Sequence, residues 1–267
     1  MKIDEFIDAW EKIPTDESLE NTRIYWNMRA SEFNEQNRDN CGEIQDLLDQ
    51  QNYKVEGKSM LDIGCGPGKC AVRFSRDFKY VTGVDISDQM IAYAKENAEE
   101  ESRKNVEFHA MAWEKADLEA LNWEDRFDVV VGSMTPAISN VNALKKMCRA
   151  SKDLCMLSSF VHRRDLKVEL EEHLGLSKPG QEYRNKVYLV FNILWLMGYH
   201  PQVWYTDVGI RREYTLEKAH RLYSQQLELN QTQKKKAKTF LESRAVDDIL
   251  HQEYTAKIGW LVWSVKK

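Results

Sequence analysis

Leu61-Asp62-Ile63-Gly64-Cys65-Gly66-Pro67-Gly68 decides the fold. A short apolar run enters three glycines spaced by single residues, and a helix is expected over 68–78. Glycine is needed where a backbone turns sharply or a ligand comes close, because a Cβ would clash there. A loop of this kind, leaving a buried strand and opening a helix, is where doubly wound α/β sheets bind nucleotides.

Outward from that loop, short apolar runs alternate with helical segments. Strands are expected at 59–63, 80–85, 106–109, 127–132 and 154–160, with helices near 68–78, 88–102, 114–121 and 140–151. Such alternation implies a parallel sheet covered by helices on both faces, with the strand carboxyl ends along one edge. A long apolar helix over 182–198 ends at Gly198, and strands over 202–208 and 258–265 complete a seven-stranded sheet. Residues 212–252 read as polar and helical.

The first 53 residues read as helical, over 4–12 with Phe6, Ile7 and Trp10, over 18–38 with Ile24, Tyr25, Met28 and Phe33, and over 42–52 with Ile44, Leu47 and Leu48. Pro14 breaks the first of these. The expected fold class is therefore α/β. It has a seven-stranded, mostly parallel Rossmann-like sheet, a helical N-terminal extension and a helical insertion between strands six and seven. The expected organisation is one domain over 1–267: a helical cap over 1–53, a core over 54–208 and 253–267, and an insertion over 209–252 that is a candidate lid.

Composition narrows the function classes. The chain has 267 residues, 42% of them hydrophobic, enough for a sizeable core. A formal net charge of −5 argues against a general nucleic-acid binder. No apolar run approaches the roughly 20 residues of a membrane span, and Met1-Lys2-Ile3-Asp4-Glu5 opens no signal-peptide stretch. The five cysteines, Cys41, Cys65, Cys70, Cys148 and Cys155, contain no CxxC pair. Neither a disulfide nor a metal site is expected from that spacing, and the reading is of reduced thiols in a cytoplasmic protein.

Two carboxylates then choose between ligands. Asp85 ends the second strand 21 residues past Gly64, where a carboxylate can accept from both hydroxyls of a ribose. The pyrophosphate fingerprint G-x-G-x-x-G needs glycine where this chain has Lys69. Asp62 beside the loop disfavours a ligand with two phosphates and favours one with a cationic amino group. That tilts the choice from a nicotinamide dinucleotide to S-adenosylmethionine.

Residues 61–68, with Val84-Asp85, resemble motifs I and II of the class I S-adenosylmethionine-dependent methyltransferases, and Phe127-Asp128-Val129-Val130-Val131-Gly132 resembles their fourth-strand motif. The resemblance covers about 54–160 and implies residue roles. Gly64, Cys65, Gly66 and Gly68 would lie against the methionine and ribose portions, and Asp62 near the amino-acid end. Asp85 would bind the ribose hydroxyls and Ile86 would pack on adenine. The family's acidic partner for the adenine amino group is replaced here by Ala112, which leaves the backbone and Trp113, or else Glu114, for that task. Ser133, after the fourth strand, completes the cofactor set, and the product would be S-adenosylhomocysteine.

The acceptor should approach the same sheet edge. Ser133-Met134-Thr135-Pro136 stands where amino-methylating nucleic-acid enzymes carry Asn/Asp-Pro-Pro-Tyr, a motif this chain lacks. Two further loops contribute His162, Arg163 and Arg164, and Arg211 and Arg212. Tyr25, Trp26, Asn27, Met28 and Arg29 could close over the cofactor from the N-terminal helices. Candidate substrate contacts are thus Tyr25, Trp26, Arg29, Met134, His162, Arg163 and Arg211. A sulfonium methyl is already activated, so alignment and water exclusion supply much of the acceleration. A base is needed only for a protonated nucleophile, and the candidates are His162, His109 and Tyr25, each weighed against ordinary packing.

Four functions compete at this point. The leading one is methylation of a small or medium-sized metabolite. A tRNA or rRNA methyltransferase is the second, with Lys234-Lys235-Lys236 and Lys238 as the lesser reading of an exposed helix face. A protein that binds the cofactor without transferring methyl is third. A nicotinamide oxidoreductase, opposed by Lys69 and Asp62, is last. No membrane partner is expected, and oligomeric state is left open.

Overall fold

The computed structural model describes residues 2–13, 18–35, 41–176, 181–227 and 229–266, with the side chains of 181–185, 210 and 212 set aside. Pro14, the end of the helix expected over 18–38 and the Arg212 side chain lie outside the described residues.

Three helices precede the sheet: α1 (Ile3–Glu11), α2 (Leu19–Glu35) and α3 (Cys41–Gln50). Then follow β1 (Ser59–Ile63), α4 (Lys69–Phe74), β2 (Tyr80–Asp85), α5 (Asp88–Glu100), β3 (Val106–Ala110), β4 (Phe127–Gly132), α6 (Val141–Ala150) and β5 (Ser151–Arg164). The remainder is α7 (Leu166–Leu174), α8 (Gln181–Leu196), β6 (Gln202–Thr215), α9 (Leu216–Gln226), α10 (Gln231–Glu242) and β7 (Ile249–Ser264).

The seven strands form one sheet in the order β3-β2-β1-β4-β5-β7-β6. β1 pairs in parallel with both β2 and β4, so the strand order reverses beside β1. At such a reversal two loops turn away from each other and leave a crevice at the carboxyl ends. Met60, Leu61, Ile63, Val81, Val129, Val130 and Val131 are almost wholly buried, as strands covered on both faces require.

Compactness divides the chain into two units. One comprises 1–159, 189–204 and 260–267, and the other 160–188 and 205–259. The first contains the crevice, and α3 gives Ile44, Leu47 and Leu48 to its core. The second has its own apolar cluster, in which Leu166 and Leu170 of α7 join Ala219, Tyr223, Leu229, Ala237, Leu241 and Leu250.

Several expectations are corrected. The helix expected over 114–121 is a single 3-10 turn, Trp113–Lys115. The Asp117 carboxylate accepts from the amides of Glu119 and Ala120, which favours a turn over helix continuation. The last three strands are longer than expected. Residues 249–252 belong to β7 rather than to a helical insertion, 253–257 extend the strand expected over 258–265, and the stretch alternates buried Leu250, Gln252, Tyr254 and Ala256 with exposed His251, Glu253 and Thr255. Helix α7 was not expected, although the Asp165 side chain caps it on Val168 N at 2.9 Å and Gly175 ends it in the left-handed region. Finally, the thiols are not all reduced. Cys41 and Cys70 form a disulfide, 29 residues apart in sequence, because the fold sets α3 beside α4. Cys65, Cys148 and Cys155 are free and buried.

Candidate active site

β1 ends in the glycine loop, and the loop spends its own amides inside the protein. The N–H groups of Gly64 and Cys65 both donate to Val84 O, at 2.7 and 3.0 Å, and Gly68 N donates to Cys65 O at 3.1 Å. Gly66 N donates to Asp85 Oδ2 at 3.0 Å. Gly64, Gly66 and Gly68 all have positive φ, at 72, 55 and 73°. At Gly68 a Cβ would also lie 2.7 Å from Ala94 Cβ, so both torsion and packing require glycine there. A loop whose N–H groups are already occupied is a poor cradle for phosphates, which need such groups free.

Two carboxyl groups face this loop. Asp62 is 4% exposed, and among the described residues no donor reaches its side chain. Burial, with the neighbouring Asp85 charge second, pushes its carboxyl up to about 7. Asp85 is partly buried. Burial raises its pKa too, against the lowering effect of amide donors from Ser87, Gly66 and Ile86. A buried acid without a donor, beside a second carboxylate, fits a ligand that brings a cation and hydroxyls, and repels one that brings phosphates.

Helix α2 packs against α5 at the same crevice. Asn27 Oδ1 accepts from Ser87 Oγ at 2.6 Å and from Gln89 N at 3.3 Å, while Arg23 pairs with Asp88 at 2.7 Å. Asn97 Nδ2 bridges Asn34 Oδ1 and Pro67 O, at 2.9 and 2.8 Å, joining α2, α5 and the glycine loop. The Asp85-Ile86-Ser87 segment is thereby held from both sides. Ser87 could have been found in the sequence as the N-cap of α5, its hydroxyl accepting from Met90 N at 3.0 Å. Asn27 gave no such signal, because its partners are tertiary.

Around the expected adenine end, Ala112 and the partly buried Ile86 lie near the ends of β3 and β2, tied by Met111 N donating to Asp85 O at 2.8 Å. Trp113 is 1% exposed and its Nε1 donates to Ala143 O at 3.1 Å, which makes it a packed core residue. Glu114 accepts from Ser139 Oγ at 3.4 Å, and burial raises its pKa.

The loop after β4 is tightly held. Met134 sits at φ 50°, unusual for a side-chain-bearing residue, with its N–H donating to Ser158 Oγ at 2.9 Å. Thr135 Oγ1 accepts from Ala137 N at 3.1 Å, and its side chain fills the space a Cβ on Gly64 would need. Ser133 and Met134 are half-buried at this edge.

The other expected residues scatter. Tyr25 is partly exposed, its hydroxyl accepting from Arg29 Nη1 at 2.9 Å, and the Arg29 guanidinium lies over Tyr25, Trp26 and Phe33. His109 packs edge-on to Trp123 at 5.2 Å, its Nε2 3.3 Å from Glu107 Oε1. His162, Arg163 and Arg211 belong to the second unit. There His162 borders an open cavity of about 360 Å³ with Asp207, Val208, Gly209 and Lys257. Arg163 pairs with Asp165 at 2.8 Å and exposed Arg211 with Glu253 at 3.3 Å.

A family model described as a methyltransferase domain matches residues 54–243. Among curated relatives, a ubiquinone biosynthesis O-methyltransferase of Coxiella burnetii is 33% identical over 82 residues, 30% of this chain and 32% of that one. A ribosomal protein L11 methyltransferase of Thermotoga maritima is 30% identical over 128 residues, 46% of each. The chain thus spans under half the length of these relatives. The YcgJ protein of Bacillus subtilis has the same fold, at TM-score 0.56 and 18% identity, covering 82% of this chain and 96% of that one. So does magnesium protoporphyrin IX methyltransferase of Synechocystis with bound S-adenosylhomocysteine, at TM-score 0.54 and 13% identity over 90% and 99%. With the family model covering most of the chain and the crevice built as its fold requires, the chain belongs to the class I, S-adenosylmethionine-dependent methyltransferases.

Proposed function

We propose that the chain binds S-adenosylmethionine at the carboxyl ends of β1 and β2 and methylates a small or medium-sized metabolite. The observation that supports this most is the buried Asp62 carboxyl, without a donor, with the partly buried Asp85 beside it, behind a loop with its amides already used. Asp62 would hold the amino group of the ligand and Asp85 the ribose hydroxyls. Ile86 and the backbone near Ala112 would line the adenine, because Trp113 is committed to the core. Gly64, Cys65, Gly66, Gly68 and Ser133 would line the remainder.

The bound sulfonium supplies an activated methyl, which passes to a lone pair of the acceptor as the C–S pair returns to sulfur. The chain's task is to align and to exclude water. Met134, held by Ser158, and Ser133 would form one wall at the β4 end, and α2 would contribute Tyr25, Trp26 and Arg29 from the opposite side. We assign no general base. Tyr25 is engaged with Arg29, His109 with Trp123, and His162 stays a candidate only for an acceptor that must lose a proton.

The net charge of −5 and the metabolic role in the name of the Coxiella relative support a metabolite over RNA as acceptor. We keep one methyltransferase domain over 1–267, with 1–53 as its cap and α9 and α10, between β6 and β7, as its insertion, and a cytoplasmic location where the cofactor is available. Incubation with methyl-labelled S-adenosylmethionine and a fractionated metabolite pool tests it. Label should enter a small molecule; label entering only RNA or protein would overturn the acceptor class.

A further inference from the structure

Cys41 opens α3 and Cys70 lies in the first turn of α4, with their Cα atoms 5.3 Å apart across the disulfide. The bond sits at the exit of the cofactor loop. Gly68 caps α4, and its carbonyl accepts from Val72 N at 2.8 Å. Whatever fixes the first turn of α4 therefore fixes the end of the 64–68 loop. Helix α4 has six residues, too few to hold itself in place without tertiary contacts. Helix α3 is a firm post. Ile44, Leu47 and Leu48 anchor it in the core, and the Tyr53 hydroxyl just beyond it donates to Asp153 Oδ2 at 3.1 Å.

The two sulfurs differ in access. Cys41 is fully buried and Cys70 is partly exposed, so an external thiolate attacks at Cys70. We propose that Cys41 and Cys70 form a thiol–disulfide modification site through which a low-molecular-weight thiol sets the order of the cofactor loop, and with it cofactor affinity. A thiolate RS⁻ bonds to the Cys70 sulfur, and Cys41 leaves as thiolate and takes a proton. A second RS⁻ bonds to the R sulfur of the mixed disulfide, and Cys70 leaves and is protonated. The protein gains two electrons and two protons, and two RSH become RSSR. Re-oxidation by RSSR runs the same steps backwards.

In the bonded form the loop exit is already ordered. In the dithiol form that order must be imposed when the ligand binds. Freezing about one residue's backbone corresponds to roughly a tenfold loss of affinity.

The test uses the full chain equilibrated in glutathione and glutathione disulfide at graded ratios. Alkylation and intact mass count the thiols, and calorimetry measures S-adenosylhomocysteine affinity in parallel. The proposal expects two thiols to appear together and the dissociation constant to rise about tenfold at the same ratio. Cys70→Ser and Cys41→Ser should both show the weak value at every ratio. The redox series on the unaltered chain stands without them should either fail to fold. Absence of the two-thiol step, a step with affinity unchanged within about twofold, or tighter binding by the dithiol form would each overturn it. A normal thiol count with no binding in either form would refute the cofactor assignment, and the inference would fall with it.

Discussion

Protonation of Asp62 should control cofactor affinity. Its carboxyl is raised to about 7 in the free protein, by burial first and the Asp85 charge second. A ligand ammonium beside it favours the ionised form, so below neutrality binding must expel a proton. The apparent dissociation constant then falls about one decade per pH unit up to pH ~7 and is flat above it. Between pH ~5.5 and ~7.5 the gain is roughly 25-fold, or about 1.9 kcal/mol. Calorimetry of S-adenosylhomocysteine in two buffers of different ionisation enthalpy reads both the affinity and the expelled proton, near one per site at pH ~6.

The same shift has a consequence for folding. The folded-state pKa of Asp62 lies above its unfolded value, so the folded state holds more protons between pH ~4 and ~7, and stability falls as pH rises through that window. Asp62→Asn should therefore stabilise the free protein at pH ~8 by an amount on the order of 2–4 kcal/mol, while weakening cofactor binding and removing its pH slope. An affinity independent of pH in the wild type, or an identical slope in Asp62→Asn, would refute the reasoning.

Three other substitutions probe the site. Asn27→Ala removes the acceptor for Ser87 Oγ and Gln89 N, and should weaken S-adenosylhomocysteine binding by about 3–10-fold, within the worth of a net hydrogen bond or two; unchanged affinity by calorimetry would detach α2 from the site. Gly68→Ala places a Cβ 2.7 Å from Ala94 Cβ at φ 73°, and denaturant titration should show a loss on the order of 2–4 kcal/mol. Met134→Gly relieves a left-handed residue and should raise stability by about 0.5–1 kcal/mol, with any accompanying loss of turnover reporting the side chain's place at the acceptor.

The crevice was legible in the sequence because its parts are local. The apolar runs of β1, β2 and β4 are buried on both faces and read as strands, and the glycines and Asp85 fall at strand ends. The outer half of β7 was misread because His251, Glu253 and Thr255 made it polar, although Leu250, Tyr254 and Ala256 keep the period of two that a half-buried strand shows. For α7 the signals stood in the sequence, with Asp165 as cap and Gly175 as stop. The Asn27–Ser87 bond and the Cys41–Cys70 disulfide join residues 60 and 29 positions apart, and nothing local announces either. Trp113 could be read as core or as adenine platform, and its indole bond to Ala143 O gives it to the core.

The central claim is that a sulfonium nucleoside, not a dinucleotide, occupies the crevice between Asp62 and Asp85. Calorimetric titration of S-adenosylhomocysteine and of a nicotinamide dinucleotide into the wild type and Asp85→Ala tests it most directly. The account predicts one S-adenosylhomocysteine site per wild-type chain, affinity lost by at least about tenfold in Asp85→Ala, and no heat from the dinucleotide. Equal binding by wild type and Asp85→Ala, or a preference for the dinucleotide, would contradict it.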